Sequence, residues 1–145
     1  MKPVLVLGLG NRLMMDDGIG VAVVEALAAQ GPADERVHYA VGETDFEYCL
    51  ELAADCESLI VVDAAVTGRR PGEVSVFPLE ALATCRPGLS LHNLHFLDLL
   101  RQRQSGQQGV LIGIEPFRVD VHFGLSRELT RQLDAIVNKV RSHIL

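Results

Sequence analysis

Short aliphatic runs that alternate with segments of helical periodicity are the feature that most restricts the fold of this chain. The runs at residues 3–7, 58–64 and 110–114 are dominated by Leu, Ile and Val. Continuous apolar runs of this length are typical of strands that are buried on both faces of a parallel sheet. Residues 17–29 and 126–144 instead have the apolar periodicity of helices. The chain is therefore predicted to alternate between strands and helices.

The remaining segments complete this pattern. Further strands are predicted at 37–41 and, as an edge strand after a Pro-Gly turn, at 73–77, and further helices at 45–54 and 94–104. Alternating strands and helices imply right-handed crossovers, with helices on both faces of the sheet. We therefore predict an α/β fold: a single three-layer α/β/α domain over residues 1–145, with a mostly parallel, twisted sheet of about five strands.

Composition and charge exclude several classes of protein. With 48% hydrophobic and 22% charged residues, the chain is neither disordered nor fibrous. Its net charge of −6 would repel phosphates, so no nucleic-acid partner is expected. The three cysteines form no CxxC pair, and the first apolar run is too short for an export signal or a membrane span. We expect a cytoplasmic protein with no membrane partner; the oligomeric state stays open, and a monomer is compatible with the sequence.

The densest group of glycines and acids, GLGNRLMMDDGIG, directly follows the first predicted strand. A glycine-rich turn before a helix can bind the pyrophosphate of a dinucleotide. Here Leu13 replaces the third glycine of that motif, and Asp16 and Asp17 would repel a diphosphate. A nucleotide-binding α/β protein is therefore the least favoured alternative. Both acids follow the carboxyl end of a strand, where open α/β sheets bind ligands, although one of them could instead stabilise the next helix.

Asp63 and two histidines could complete a metal site at the same edge of the sheet. Asp63 ends an apolar strand, where an ionised carboxylate is costly unless it caps a turn, is paired or binds a cation. His92 and His95 lie a turn apart near the start of a predicted helix, where an imidazole tends to stay neutral. Two carboxylates and one imidazole suit Zn, Ni, Mn or Fe(II), and such a metal can polarise a scissile carbonyl or activate water.

Five motifs together resemble the nickel–iron hydrogenase maturation endopeptidases, which trim the C-terminus of the hydrogenase large subunit after nickel insertion. In chain order they are VLGLGNRLMMDDGIGV, VGETDFEYCLEL, LIVVDA, SLHNLHFLDLL, and GIEP with GLSREL. The resemblance covers nearly the whole chain. It implies an aspartyl-type endopeptidase whose partner is the hydrogenase large-subunit precursor. A non-catalytic chaperone that binds nickel or the precursor is the alternative.

The resemblance also implies residue roles. Three residues would bind the metal and carry the catalysis: Asp17, Asp63 and His92. Five would contact the substrate, four of them in one turn: Gly42, Glu43, Thr44, Asp45 and His95. The implied metal is nickel supplied by the substrate, and other divalent metals could substitute in vitro. The chain departs from the family pattern at His95, where a small residue is more common, so His95 could also be a ligand.

Overall fold

The elements of the fold alternate between strands and helices. The computed structural model describes residues 4–31, 34–84, 88–103 and 108–144. Its strands are β1 (Val4–Leu9), β2 (Val37–Glu43), β3 (Ser58–Ala64), β4 (Val74–Pro78) and β5 (Gln108–Ile114). Its α-helices are α1 (Ile19–Gln30), α2 (Phe46–Ala54), α3 (Leu91–Arg103) and α4 (Arg127–Arg141). Two short 3-10 helices occupy Met15–Gly18 and Leu79–Ala83.

Within the described ranges, the strands form one five-stranded sheet in the order β2-β1-β3-β5-β4. The pairs β1–β2, β1–β3 and β3–β5 are parallel, whereas β4 runs antiparallel to β5. The prediction of a mostly parallel sheet is confirmed. The prediction of an edge strand is also confirmed, since β4 lies at one end of the sheet. No helix separates β3 from β4, so the chain reverses direction at this edge.

Two apolar cores cover the two faces of the sheet. Side chains alternate along a strand, so Ile60 and Val62 of β3 enter one core and Leu59 and Val61 the other. Helices α1 and α4 contribute to the first core, and α2 and α3 to the second. This arrangement explains why the central part of β3 is apolar at successive positions. The helices therefore lie on both faces, as predicted.

Two glycines allow the chain to fold tightly at the carboxyl end of β1. Gly10 has a φ of +132°, and a Cβ on it would clash with the carbonyl oxygen of Asp17. A Cβ on Gly20 would clash with the carbonyl oxygen of Val62. The absence of side chains at these positions lets the turn after β1 and the first turn of α1 approach β3 closely. Asp17 is thereby placed beside the end of β3.

Element boundaries differ from prediction at two helix starts. The helix expected from residue 17 begins as an α-helix at Ile19, because the chain first forms the 3-10 helix Met15–Gly18. Helix α3 begins three residues earlier than the predicted 94, because Ser90 caps it by accepting a hydrogen bond from the backbone of Asn93 (3.1 Å). None of the helices in the described ranges is long and apolar enough to cross a bilayer.

Candidate active site

The register of the sheet brings the ends of β1, β2 and β3 to one level. Gly8 of β1 pairs with both Val41 of β2 and Val62 of β3. Glu43 and Asp63 follow those partners at the carboxyl edge of the sheet. This is the edge at which parallel α/β sheets bind ligands, because the connecting loops diverge there. The 3-10 helix that carries Asp17 also contacts β3, so one site can include residues from all three loops.

Asp63 is a fully buried carboxylate at this edge. Its Oδ1 accepts a hydrogen bond from the backbone N–H of Ala64 (2.8 Å), and its Oδ2 accepts one from Nδ2 of Asn93 (2.7 Å). Burial raises the pKa of Asp63 well above its usual value, and the negative charge of Asp17 raises it further, whereas the two hydrogen bonds act in the opposite direction. The structure thus brings Asp17 and Asp63 close enough to interact electrostatically.

Asp17 is half-buried in the 3-10 helix. Its Oδ2 accepts a hydrogen bond from the backbone N–H of Asn11 (3.0 Å). Burial raises the pKa of Asp17, and the bond from Asn11 lowers it. Two neighbouring carboxylates with raised pKa values favour a bound cation, because its charge offsets both their burial and their mutual repulsion.

Both carboxylates retain the capacity to bind such a cation. An ionised carboxylate offers about four lone-pair sites. Among the described residues, Asp17 accepts one hydrogen bond and Asp63 accepts two. Oxygen donors of this kind suit a hard or borderline divalent cation. The residues present therefore fit a divalent metal held by Asp17 and Asp63.

Asp16 has a different role from its neighbour, because its carboxylate is fully buried and accepts several hydrogen bonds from a distant segment of the chain. In the described part of the chain it accepts four hydrogen bonds, from Phe117 N (3.0 Å), Arg118 N (2.9 Å), Ser126 N (2.8 Å) and Ser126 Oγ (2.8 Å). Three of these bonds end on Oδ2 and one on Oδ1, so most of the acceptor capacity of Asp16 is used within the protein. It ties the 3-10 helix to the segment before α4. This difference favours Asp17 as the candidate ligand, a choice that the residues alone left open.

Of the two candidate histidines on α3, only His95 has a side chain in the described part of the chain. His92 belongs to the first turn of α3, but its side chain lies outside the described part of the chain. The next residue, Asn93, contacts Asp63, so the start of α3 lies at the site. His95 is exposed on the same helix. The described side chains contain no metal-competent group of three or more His, Cys, Asp or Glu. A third ligand from His92 remains a prediction.

The predicted substrate-contact turn borders a cavity at the same edge of the sheet. A hydrogen bond from Asp45 N to the carbonyl of Gly42 (2.9 Å) closes the turn. The cavity has a volume of about 380 Å³ and is lined by Val41, Gly42, Glu43, Thr44, Asp45 and Tyr48. Glu43 has a φ of +51°, and Met15, beside Asp16 and Asp17, has a φ of +52°. Positive φ is uncommon for residues other than glycine and is concentrated at functional sites.

Arg12 connects the turn before Asp17 to the turn at Glu43. Its guanidinium donates two hydrogen bonds to Glu25 (2.9 and 2.8 Å) and one from Nε to Glu43 (2.8 Å). The carbonyl of Glu43 also accepts a hydrogen bond from Gly10 N (3.1 Å). Both carboxylates raise the pKa of Arg12, so it stays charged. The two loops that border the site are thus held together by the Arg12 side chain and by one backbone hydrogen bond.

Replacing Arg12 with Gln should loosen the turn at residues 42–45. The ion pairs are partly exposed, so we expect the free energy of unfolding to fall by about 1 kcal/mol or less. Hydrogen exchange at the Asp45 amide should accelerate several-fold, because Glu43 loses one of its two anchors. Arg36→Gln is the matched control, since Arg36 pairs with Asp34 (3.0 Å) away from this turn. Equal exchange in wild type and Arg12→Gln would contradict this role.

Sequence analysis assigned no role to Asn93 or Arg12. Asn93 directly follows His92, a predicted metal ligand, and this adjacency could have indicated a role for Asn93 at the site. Arg12 offered none, because its partners Glu25 and Glu43 are distant in sequence and only the fold brings them together.

Comparison with known proteins identifies the family of this chain. The family model for hydrogenase maturation proteases matches residues 21–143. The hydrogenase expression/formation protein HupD of Rhodobacter capsulatus is 32% identical over 95% of this chain and 70% of its own length. The hydrogenase 2 maturation protease of Escherichia coli is 30% identical over 94% of this chain and 87% of its own.

A solved structure extends the likeness to the fold. The hydrogenase maturating endopeptidase HybD from E. coli superposes with a TM-score of 0.81 at 29% identity. The match covers 98% of this chain and 91% of that protein. Family model, sequence relatives and fold therefore agree over most of the molecule. The chain belongs to the hydrogenase maturation protease family.

Proposed function

We propose that this protein is an endopeptidase that removes the C-terminal extension of a nickel–iron hydrogenase large-subunit precursor, with Asp17 and Asp63 at the reaction centre. The observation that carries the proposal is geometric: the 3-10 helix that carries Asp17 contacts β3, and Asp63 lies near the carboxyl end of that strand. Members of this family are peptidases, and the named E. coli relative is a maturation protease. The proposal adds the site, the metal and the nature of the substrate.

The metal in this proposal is held by Asp17, Asp63 and His92. When bound, a divalent metal supplies Lewis-acid chemistry that polarises a scissile carbonyl. The chain's own groups orient the ligands. Asn93 and the backbone of Ala64 fix the two oxygens of Asp63, and the N–H of Asn11 fixes one oxygen of Asp17. Hydrogen bonds of this kind set the geometry and basicity of metal ligands.

The nickel is proposed to arrive with the precursor. A site with two carboxylates and one imidazole leaves coordination positions for groups of the substrate. The protease would then recognise a precursor that has already received its metal. The alternative, a chaperone that binds nickel or the precursor without cutting, predicts a complex of unchanged chain masses.

Intact-mass spectrometry separates these two functions. Purified protein is incubated with nickel-loaded and nickel-free large-subunit precursor. The proposal predicts that only the nickel-loaded precursor becomes shorter, by one C-terminal peptide. If the two proteins associate and the precursor mass stays constant, the protein is a chaperone. If both precursors are shortened equally, nickel is not part of the recognition.

The ligand assignment on α3 is tested by a pair of histidine variants. His92→Ala should reduce cleavage of the nickel-loaded precursor by more than about 100-fold, since even groups that only support a metal ligand contribute about 10–100-fold. His95→Ala is the comparison, because His95 is exposed one turn along the same helix. Its effect should be less than about tenfold if it only contacts substrate. Full activity of His92→Ala with loss in His95→Ala would transfer the ligand role to His95.

A further inference from the structure

Five exposed apolar side chains lie together next to the 3-10 helix that carries Asp17. We call them the apolar ridge: Leu13, Phe117, Val119, Val121 and Phe123. Between 49% and 81% of the surface of each residue is exposed. Single exposed apolar residues are ordinary, but five of them on two segments that hydrogen-bond to each other make a candidate interaction site. Sequence analysis did not identify this group, although the alternation of FRVDVHF was visible.

The ridge is held in place by backbone hydrogen bonds to the turn before Asp17. His122 donates to the carbonyl of Leu13 (3.0 Å) and accepts from the N–H of Met15 (2.9 Å). Gly124 donates to the carbonyl of Arg12 (3.2 Å). The Asp16 carboxylate binds the other end of the segment. The exposed side chains are therefore presented by a preorganised backbone, which lowers the entropic cost of binding a partner.

The chemistry of the ridge favours an uncharged, apolar partner surface. Its two intervening charged side chains, Arg118 and Asp120, form an ion pair with each other (2.9 Å). At the base of the ridge, a cavity of about 170 Å³ is lined by Arg12, Met15, Gly18, Val21, Ala22, Phe123, Gly124 and Leu125. A cavity of this size can take about one apolar side chain.

The position of the ridge beside Asp17 and the net charge of the chain indicate which partner the ridge binds. Asp16 anchors the ridge, and Asp17 at the reaction centre is the next residue, so a molecule seated on the ridge is within reach of the site. A second copy of this chain is disfavoured, because each copy carries a net charge of −6. A second copy on the ridge would also lie beside the carboxyl edge of the sheet and would obstruct the entry of substrate.

We propose that the apolar ridge docks the folded body of the large-subunit precursor, through an apolar and uncharged face next to its C-terminal extension. The inference rests on the proposed function, because it takes that precursor as the substrate. Docking at the ridge would hold the extension over Asp17 and Asp63 without recognition of its sequence. Such contacts contribute binding energy remote from the reacting bond.

The test measures the dissociation constant of the complex with purified nickel-loaded precursor by calorimetry. Val121→Asp should raise this constant at least about tenfold, as for a residue central to an interface. Val121→Leu should leave it within about twofold, because the apolar contact is kept. Val76→Asp is the matched control, since Val76 is an exposed valine on the edge strand β4, outside the ridge, and should bind as wild type does.

Each outcome decides between the alternatives. Equal binding by Val121→Asp and wild type would overturn the proposal. So would sedimentation showing a wild-type dimer that Val121→Asp converts to monomer, because the ridge would then be a self-association surface. Cleavage is followed separately by intact mass. If wild type binds the precursor but does not shorten it, the proposed function fails while the effect of Val121→Asp on binding still tests the ridge.

Discussion

Asp63→Asn is expected to abolish cleavage of the precursor and, at the same time, to stabilise the metal-free protein at neutral pH. The loss of activity should exceed about 100-fold, because the variant removes a negative ligand from the centre of the site. The melting temperature should rise by roughly 3–5 °C at pH 7, about the shift that 1 kcal/mol produces in a chain of this size. A single substitution should thus separate function from stability.

The gain in stability follows from the raised pKa of Asp63. The folded protein holds the Asp63 proton more tightly than the unfolded chain does, so this group contributes stability that is full below the unfolded pKa of about 3.8 and is lost as pH rises through the folded pKa. Asn carries no charge at any pH and avoids that loss. Its amide can still accept from the backbone of Ala64, and the amide of Asn93 can rotate to offer its oxygen instead.

Thermal melts between pH 3.5 and 8 test this account. The stability of Asp63→Asn relative to wild type should grow as pH rises and vanish near pH 3.5, where Asp63 is protonated in both states. Asp134→Asn, at an exposed position of the long helix α4, is the matched control. If Asp63→Asn is less stable than wild type at pH 7, the protein itself must offset the cost of burying the charged Asp63 carboxylate, and no metal is needed for that.

Asp16→Ala is expected to destabilise the fold strongly. The substitution leaves two buried donors, the N–H and the hydroxyl of Ser126, and two partly buried N–H groups without their acceptor. We expect a loss of roughly 2–4 kcal/mol, because an orphaned buried donor costs about 1–3 kcal/mol and the other two can reach water. The 3-10 helix would also separate from the segment before α4.

Asp17→Ala provides the contrast on the adjacent residue. Asp17 is half-buried, accepts one backbone hydrogen bond among the described residues and has a raised pKa, so its removal should change stability by less than about 1 kcal/mol. In urea, Asp16→Ala should lower the unfolding midpoint by roughly 1–2 M, and Asp17→Ala should leave it nearly unchanged. Equal losses in both variants would contradict the separation of a structural from a functional aspartate.

The sequence was sufficient for the fold because its signals were local. The apolar run at 58–64 coincides with β3, and the parallel pairing of β1 with β3 follows from the alternation of strands and helices. The start of α1 was missed because it depends on a distant contact. Asp16 binds the segment before α4, about a hundred residues later, and no periodicity near Asp16 records that contact.

The candidate site was predictable only in part for the same reason. Strand-end position was enough to select Asp63, since a carboxylate that follows four aliphatic residues needs a compensating partner. Choosing Asp17 over Asp16 required the family resemblance, and the physical reason became visible only in the hydrogen bonds of Asp16. Arg12 acts through residues that are remote in sequence, so its role could not be inferred from local pattern. The alternation in FRVDVHF was visible, but local pattern does not show that these side chains are exposed.

The most direct test of the central claim is the intact mass of nickel-loaded precursor after incubation with wild type, Asp17→Asn or Asp63→Asn. The account predicts that wild type removes one C-terminal peptide, and that both variants leave the precursor at full length although they fold and bind it. Cleavage by Asp17→Asn and Asp63→Asn at the wild-type rate would contradict it, because the two carboxylates would then not form the reaction centre.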